Sequence, residues 1–224
     1  MNKFIISLLS ILCIGIISSK SYAQTQEVYA KKGYTLVFIN QDPDFDLELQ
    51  ERMVKTFFDL YPKLSSRYNK EAVKEVLFIV DTAYTGVAET WEGKVKYSSH
   101  WLRIHPEDID VVTHEIMHIV QNYPYRPELW WVTEGIADFI RFKYGVDNTG
   151  SGWAMPYYRT EQSYKNGYRV TARFFVWIEK QYPGFIEYLD IIMRNDEYNE
   201  KIWVFLTGKT VDQLWEIYSE NPVI

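Results

Sequence analysis

Two histidines and a glutamate stand close together in residues 113–118, which read THEIMH. Residues four apart lie on the same face of an α-helix, so His114 and His118 can bind one cation together. Glu115 lies one step around the helix and can reach a water molecule at that cation. Imidazole suits zinc, and the H-E-x-x-H pattern is typical of hydrolases that use the glutamate as a general base. The motif is short and also occurs by chance, so it needs support from the rest of the chain.

A catalytic zinc site requires a third protein ligand and one open position for water. No histidine follows His118, and the only cysteine, Cys13, lies in the predicted leader, so a carboxylate is the expected third ligand. Glu134 is the best candidate. Glu128 competes with it, but it lies at a predicted helix start, where the helix dipole favours an acid anyway. Asp138 follows Glu134 by one turn and is predicted to hydrogen-bond the outer nitrogen of a zinc-bound histidine.

Glu134 and Asp138 also fit a simpler interpretation, as solvated acids on the exposed half of a helix. The residues around them argue against it because they are strongly apolar: Trp130, Trp131, Ile136, Ala137, Phe139 and Ile140. This apolar context favours a buried site.

A hydrolytic zinc site would also need a hydrogen-bond donor for an oxyanion that develops during catalysis. Tyr164 and Tyr168, four residues apart, are the candidates, with Arg173 behind them. Each of these side chains could instead belong to the core or the surface. His100 and His105 are interpreted as solvated or capping residues.

The first half of the chain predicts a small sheet backed by one long helix. Residues 34–40 and 76–80 form short apolar runs typical of buried strands, and residues 95–104 alternate as a half-exposed strand does. Residues 46–68 carry apolar side chains at the spacing of an amphipathic helix.

From residue 105 onward the pattern is helical. Thr210 and Gln213 form a predicted capping box that opens the last helix. The predicted helices cover residues 106–122, 127–144, 167–182, 186–193, 201–206 and 211–219. A sheet followed by a run of helices indicates an α+β fold, in which a small N-terminal mixed sheet precedes the active-site helix, the glutamate helix and a helical C-terminal part.

The first 23 residues are predicted to be a signal peptide. Lys3 precedes an apolar run over residues 4–17, and Ser21-Tyr22-Ala23 offers small residues where signal peptidase reads them. The run is too short to span a bilayer comfortably. We expect cleavage after Ala23, a single domain over residues 24–224, a periplasmic or extracellular location, and no stable membrane insertion after cleavage.

Composition narrows the possible partners. The net charge of −6 is spread along the chain without a basic cluster, so nucleic acid is excluded as a partner. Aromatic residues make up 17% of the chain, which fits either a well-packed core or a groove for extended polymers.

Several motifs together resemble a known family. THEIMH at residues 113–118, W-x-x-E-G-I-A-D at 131–138 and GYRVTARF at 167–174 are similar in this order to the basic secretory protein family of plant and bacterial peptidases. GKTVDQLW at residues 208–215 also resembles that family's C-terminal part, and the resemblance covers residues 28–224.

The resemblance implies a zincin-like fold with one zinc ion held by His114, His118 and Glu134, and with Glu115 as the catalytic residue. The step from Glu134 to Asp138 is similar to the glutamate helix of thermolysin-type enzymes, a gluzincin-like feature. Zincins line their cleft with an edge strand that pairs with an extended substrate. By resemblance, residues 97–104 would be that strand.

The sequence therefore predicts an exported zinc metallopeptidase that acts on peptide or protein substrates. An endopeptidase is favoured because the G-x-M-E-N signature with which aminopeptidases grip a free N-terminus is absent. Two alternatives stay open. One is a zinc-binding protein without turnover, such as a surface or carbohydrate-binding module, and the other is a zinc-free helical interaction domain.

Overall fold

A computed structural model describes residues 25–224, and the predicted signal peptide with its cleavage site lies outside this part of the chain. Its single described sheet has the order β1-β2-β3-β5-β4. The strands are β1 Thr25–Lys31, β2 Tyr34–Asn40, β3 Glu75–Asp81, β4 Ala88–Trp91 and β5 Lys94–Ser98. Strands β2, β3 and β5 run parallel, while β1 and β4 pair antiparallel with their neighbours, so the predicted mixed sheet is confirmed.

The helices follow the sheet along the chain, with the exception of α1, and this arrangement confirms the predicted α+β class. They are α1 Leu47–Tyr68, α2 Ser99–Ile104, α3 Val111–Gln121, α4 Trp130–Tyr144, α5 Tyr168–Gln181, α6 Phe185–Arg194, α7 Lys201–Thr207 and α8 Val211–Glu220. Short 3-10 helices occupy Pro127–Leu129 and Tyr164–Asn166. Within residues 25–224 no helix combines the length and apolar character needed to cross a membrane.

Helix α1 packs on one face of the sheet because both surfaces are apolar at matching positions. Alternate residues of β3, such as Phe78, are fully buried, as period-2 strands require. Phe57 of α1 meets Phe78 edge-on, with ring centroids 5.6 Å apart, and Phe78 meets Tyr97 of β5 at 5.1 Å. Aromatic contacts of this geometry stabilise the core beyond simple area burial. The sheet and the helices share one hydrophobic cluster.

Two predicted elements differ from the structure. The strand predicted over residues 95–104 is wrong beyond Ser98, because the Ser98 side chain accepts a hydrogen bond from Trp101 N and caps α2. The helix predicted from residue 106 begins only at Val111, since the buried Asp110 binds two backbone N–H groups of the loop after α4. Strands β1 and β4 were not predicted, because both are polar edge strands with little apolar signal.

Helices α4 and α5 approach closely at Gly135, the residue after Glu134. A Cβ atom at Gly135 would lie 2.9 Å from Thr171 Cβ and 3.0 Å from Phe175 Cε2 of α5. These distances are shorter than an ordinary van der Waals contact. The absence of a side chain at this position therefore sets the separation of the two helices and, with it, the depth at which Glu134 lies.

Replacing Gly135 by alanine tests this close approach. Helix propensity alone would stabilise the variant by about 1 kcal/mol. Overpacking costs about 1–3 kcal/mol, and here the clashing Thr171 Cβ is attached to the α5 backbone and cannot swing aside. We therefore expect no net gain, and a net loss of up to about 2 kcal/mol in the free energy of unfolding, measured by urea denaturation.

The matched control is Ser66→Ala, at an exposed position of α1, which should gain about 0.5 kcal/mol from propensity. If Gly135→Ala is stabilised to the same degree as this control, the packing argument is wrong.

Candidate metal centre

Helix α3 carries both histidines of the centre. His114 and His118 lie one turn apart, and their Nε2 atoms are 3.0 Å from each other. Both side chains are nearly buried, with 9% and 15% of their surface exposed. The helix ends at Asn122, which adopts the left-handed conformation typical of a helix C-terminus.

Helix α4 brings Glu134 to the same point. Glu134 Oε2 lies 3.1 Å from His114 Nε2 and 3.5 Å from His118 Nε2. These three residues form the one group in residues 25–224 whose histidine and acidic side chains converge closely enough to hold a metal ion. The structure thus brings together the two predicted histidines and the predicted third ligand.

The outer nitrogens of both rings are occupied by oxygen acceptors. His114 Nδ1 lies 2.7 Å from Asp138 Oδ1, as the sequence predicted, and His118 Nδ1 lies 2.7 Å from Gln121 Oε1. Gln121 Nε2 donates to Thr133 O at 2.9 Å, which fixes the orientation of the amide. Because a carboxylate or amide oxygen only accepts, each ring in its neutral form carries its proton on Nδ1 and presents an Nε2 lone pair to the centre.

The centre therefore has three acceptor atoms facing one another, and a cation between them would relieve their electrostatic repulsion. Ligand atoms about 2.0–2.1 Å from a tetrahedral zinc ion are about 3.3–3.4 Å apart. The observed separations of 3.0, 3.1 and 3.5 Å lie within a few tenths of that spacing. Two imidazole nitrogens and one carboxylate are also a donor set that catalytic zinc sites use. The residues present fit the ion.

The pKa values of these groups show how strongly the centre attracts positive charge. Burial alone lowers the pKa of His114, but the carboxylates of Asp138 and Glu134 outweigh it and raise that pKa well above its usual value. Burial opposes the same rise for His118, whose pKa is raised mainly by Glu134. Burial raises the pKa of Glu134, yet its contacts with the two rings hold it well below the usual range.

Glu115 faces the cleft from the same helix and contacts the edge of the sheet. Its side chain is buried, and its Oε2 accepts a hydrogen bond of 2.6 Å from Thr90 Oγ1 on β4. A carboxylate at this place, next to His114 in the chain, can accept a proton from water.

Tyr168 opens α5 directly across from the histidines. Its ring stacks on His114 with centroids 6.1 Å apart, and half of its surface is exposed to the cleft. Partial burial and then the charges of Glu134, Glu115 and Asp138 raise the pKa of Tyr168 to about 12. The hydroxyl therefore stays protonated near neutral pH and can donate a hydrogen bond.

The backbone at Tyr168 is strained in a way that favours a functional role. Its φ of 44° is left-handed, which is uncommon for a tyrosine. Gly167 before it has a φ of 71°, and a Cβ there would lie 2.5 Å from Trp130 Cη2. Strained residues of this kind persist only where the surrounding structure holds them, often at active sites.

Tyr164 and Arg173, the other predicted contributors to oxyanion stabilisation, lie outside the cleft. The Tyr164 hydroxyl donates to Asp212 at 2.7 Å, and its buried ring packs edge-on against Trp131. Arg173 donates to Pro222 O at 2.7 Å. The interpretation of Tyr164 as an oxyanion donor is therefore wrong, because its helical spacing from Tyr168 is broken by the turn at Gly167.

The remaining candidates are also placed away from the metal centre. Glu128 is exposed and paired with Arg126 at 2.7 Å, so it does not compete with Glu134. His100 is exposed, and the His105 ring lies against Trp101 with centroids 4.0 Å apart.

A cleft of about 1420 Å³ surrounds the centre, larger than the sites that bind single small molecules. One wall is β4 with its flanking turns, and the opposite wall includes Trp130, Trp153 and Tyr168. The predicted cleft strand over residues 97–104 is corrected here. Strand β5 lies inside the sheet between β3 and β4, and residues 99–104 are helical, so the free edge belongs to β4.

Sequence reasoning missed two residues of this site. Gln121 lies three residues after His118, within helical reach of its ring, so spacing could have identified it. Thr90 comes from a short polar strand 25 residues before Glu115, and no local pattern marks it.

Comparison with known proteins agrees with the fold. No curated protein matches the chain. Among solved structures, the fold is similar to that of a two-domain M1 zinc metallopeptidase, a glutamate-to-alanine mutant bound to L-tryptophan, with a TM-score of 0.51. The match has 10% sequence identity and covers 90% of this chain and 52% of that one, so the chain spans about half the length of its match.

A family model described as a peptidase of plants and bacteria matches residues 17–218, most of the chain. The protein therefore belongs to the basic secretory protein family of plant and bacterial peptidases.

Proposed function

We propose that the chain is an exported, zinc-dependent endopeptidase that uses His114, His118 and Glu134 as metal ligands and Glu115 as general base. The observation that carries the proposal is the convergence of two Nε2 lone pairs and one carboxylate oxygen on a single point beside a second carboxylate. Membership of a peptidase family supports peptide bonds as the target.

When bound there, a zinc ion supplies a Lewis acid that acidifies a water nucleophile and polarises the scissile carbonyl. Glu115 takes a proton from the water molecule while the oxygen of that water adds to the carbonyl carbon. The same carboxyl group then delivers that proton to the amine nitrogen as the C–N bond breaks. His114 and His118 keep their Nδ1 protons and donate hydrogen bonds to Asp138 and Gln121, which holds both rings in the metal-binding tautomer.

Two further parts of the cleft fit an extended peptide substrate. The free edge of β4 offers backbone groups with which a substrate strand can pair, and that pairing does not require a free terminus. Tyr168, across the cleft, donates its hydroxyl proton in a hydrogen bond to the oxyanion that forms at the carbonyl oxygen.

Removing the third ligand tests the metal centre. The parent protein should contain one zinc ion per chain by elemental analysis, and Glu134→Ala should lose stoichiometric zinc because only two ligands remain. Glu128→Ala is the matched control, since this exposed glutamate is paired with Arg126 and lies off the centre. Full zinc content in Glu134→Ala, or its loss in Glu128→Ala, would exclude the assigned ligand set.

Replacing the base separates catalysis from metal binding. Glu115→Gln keeps the size of the side chain and an oxygen for Thr90, so zinc content should not change. Hydrolysis should fall by about 10²–10⁴-fold because the amide cannot accept a proton. The assay uses an unfolded protein and a peptide blocked at both ends, which only an endopeptidase cleaves.

Two results would contradict this assignment. A zinc-loaded parent that cleaves neither substrate would favour a non-catalytic zinc-binding protein. A Glu115→Gln variant that works at the parent rate would remove Glu115 from the mechanism.

The role of Tyr168 is tested by removing its hydroxyl alone. Tyr168→Phe should lower kcat by about 10²–10³-fold, the usual loss for one oxyanion donor, and leave KM nearly unchanged. Tyr164→Phe is the control, because that hydroxyl binds Asp212 outside the cleft and should affect stability rather than kcat. Equal kcat values for Tyr168→Phe and the parent would show that another group stabilises the oxyanion.

A further inference from the structure

Thr90 joins the edge strand of the sheet to the side chain of Glu115. Its Oγ1 lies 2.6 Å from Glu115 Oε2 and 3.3 Å from the backbone oxygen of the same residue. A hydroxyl has one hydrogen, and both neighbouring oxygens act as acceptors. The shorter contact is therefore the hydrogen bond, and Thr90 donates it to the carboxylate.

The register of β4 determines that Thr90 faces inward. Thr90 pairs with Val95, which is fully buried, and its neighbours Glu89 and Trp91 point to the opposite face. Glu89 forms an ion pair there with Lys96 at 2.9 Å. A shift by one residue would direct Glu89 at the Glu115 carboxylate, so the strand can present only Thr90 at this place.

This hydrogen bond makes the two oxygens of Glu115 unequal. Oε2 is held by Thr90, whereas no residue in the described chain 25–224 hydrogen-bonds Oε1. Threonine is stiff at χ1, so the donor itself is held in place by its backbone. One oxygen is therefore fixed and the other is left to meet a water molecule.

We propose that Thr90 is a positioning residue for peptide hydrolysis. Its hydroxyl holds the carboxylate of Glu115 in the orientation that receives the proton of the attacking water. Because Thr90 belongs to β4, the same contact fixes the distance between the base and the strand edge at which the substrate pairs. The inference rests on the proposed peptidase function.

Two substitutions separate the hydroxyl from the rest of the side chain. Thr90→Val keeps the β-branched shape and removes the donor, while Thr90→Ser keeps the donor and removes a methyl group. We expect kcat to fall by about 10–100-fold in Thr90→Val, since misplacement of a reacting group by about 1 Å costs up to that much. We expect KM to stay within about twofold and Thr90→Ser to retain most of the parent kcat.

Additional measurements distinguish positioning from a structural role. Zinc content of Thr90→Val should match the parent, because the hydroxyl touches none of the three residues of the metal centre. Loss of one hydrogen bond to the buried carboxylate should lower the melting temperature, and the variant should remain folded at the assay temperature. In a Glu115→Gln background, adding Thr90→Val should leave the residual rate unchanged, since the group that Thr90 positions no longer accepts a proton.

The possible outcomes are distinct. If the parent cleaves and Thr90→Val has the parent kcat, or if Thr90→Val and Thr90→Ser lose activity equally, the positioning role is overturned and the proposed function stands. A kcat loss that follows zinc loss, or unfolding of the variant at the assay temperature, overturns it in favour of a structural hydrogen bond. If the zinc-loaded parent cleaves nothing, the proposed function and this inference fail together.

Discussion

The site depends on holding three acceptor atoms within 3.0–3.5 Å of one another, an arrangement that is unfavourable unless positive charge lies between them. Helices α3 and α4 enforce it through contacts at both ends of their crossing. Near the start of α3, Asp110 accepts hydrogen bonds from Val146 N and Asp147 N after α4. At its end, Gln121 donates to Thr133 O in the first turn of α4. The two helices are thus fixed to each other on either side of the centre.

The contacts that fix the helices also orient the two histidine rings. Asp138 and Gln121 accept the Nδ1 protons of the two rings, so both Nε2 atoms must face the centre as acceptors. Gln121 serves both purposes, because its oxygen orients His118 and its amide nitrogen binds α4. The close approach of α5 at Gly135 supports α4 from behind. The packing of the helices therefore contributes to the positional order of the centre.

The parts of the site that could be predicted are those that depend on residues spaced by one helical turn. The i, i+4 spacing of His114 and His118 placed both rings on one face, and the apolar surroundings of Glu134 and Asp138 indicated a buried position. Contacts between distant segments were not visible, because Thr90 meets Glu115 through the register of a short edge strand. Such strands are polar on both sides and give little apolar pattern.

The wrong predictions arise from the same physical limit. Tyr164 has the helical spacing from Tyr168 that a shared face would require, but Gly167 with its left-handed φ separates the two and turns Tyr164 into the core. Residues 95–104 alternate as a strand, yet the cap at Ser98 begins a helix inside that pattern. In both cases one capping or turn residue overrides a periodic signal that extends across it. A periodic pattern therefore predicts a continuous element only up to the first capping or turn residue.

The sheet and the helices contribute different parts of the site, which explains why the centre lies beside the edge of β4. The helices supply the two histidines and the glutamate of the candidate metal centre, whose positions are fixed by packing. Strand β4 supplies the only free strand edge beside that centre in the described chain. A peptide paired with that edge would run past the ligands in a register set by backbone hydrogen bonds. Glu115 belongs to the helical part but is held by a hydroxyl from the strand. In the proposed reaction, the orientation of Glu115 therefore depends on β4, the same strand that aligns the peptide bond to be broken. Substrate binding and proton transfer are thus linked through Thr90.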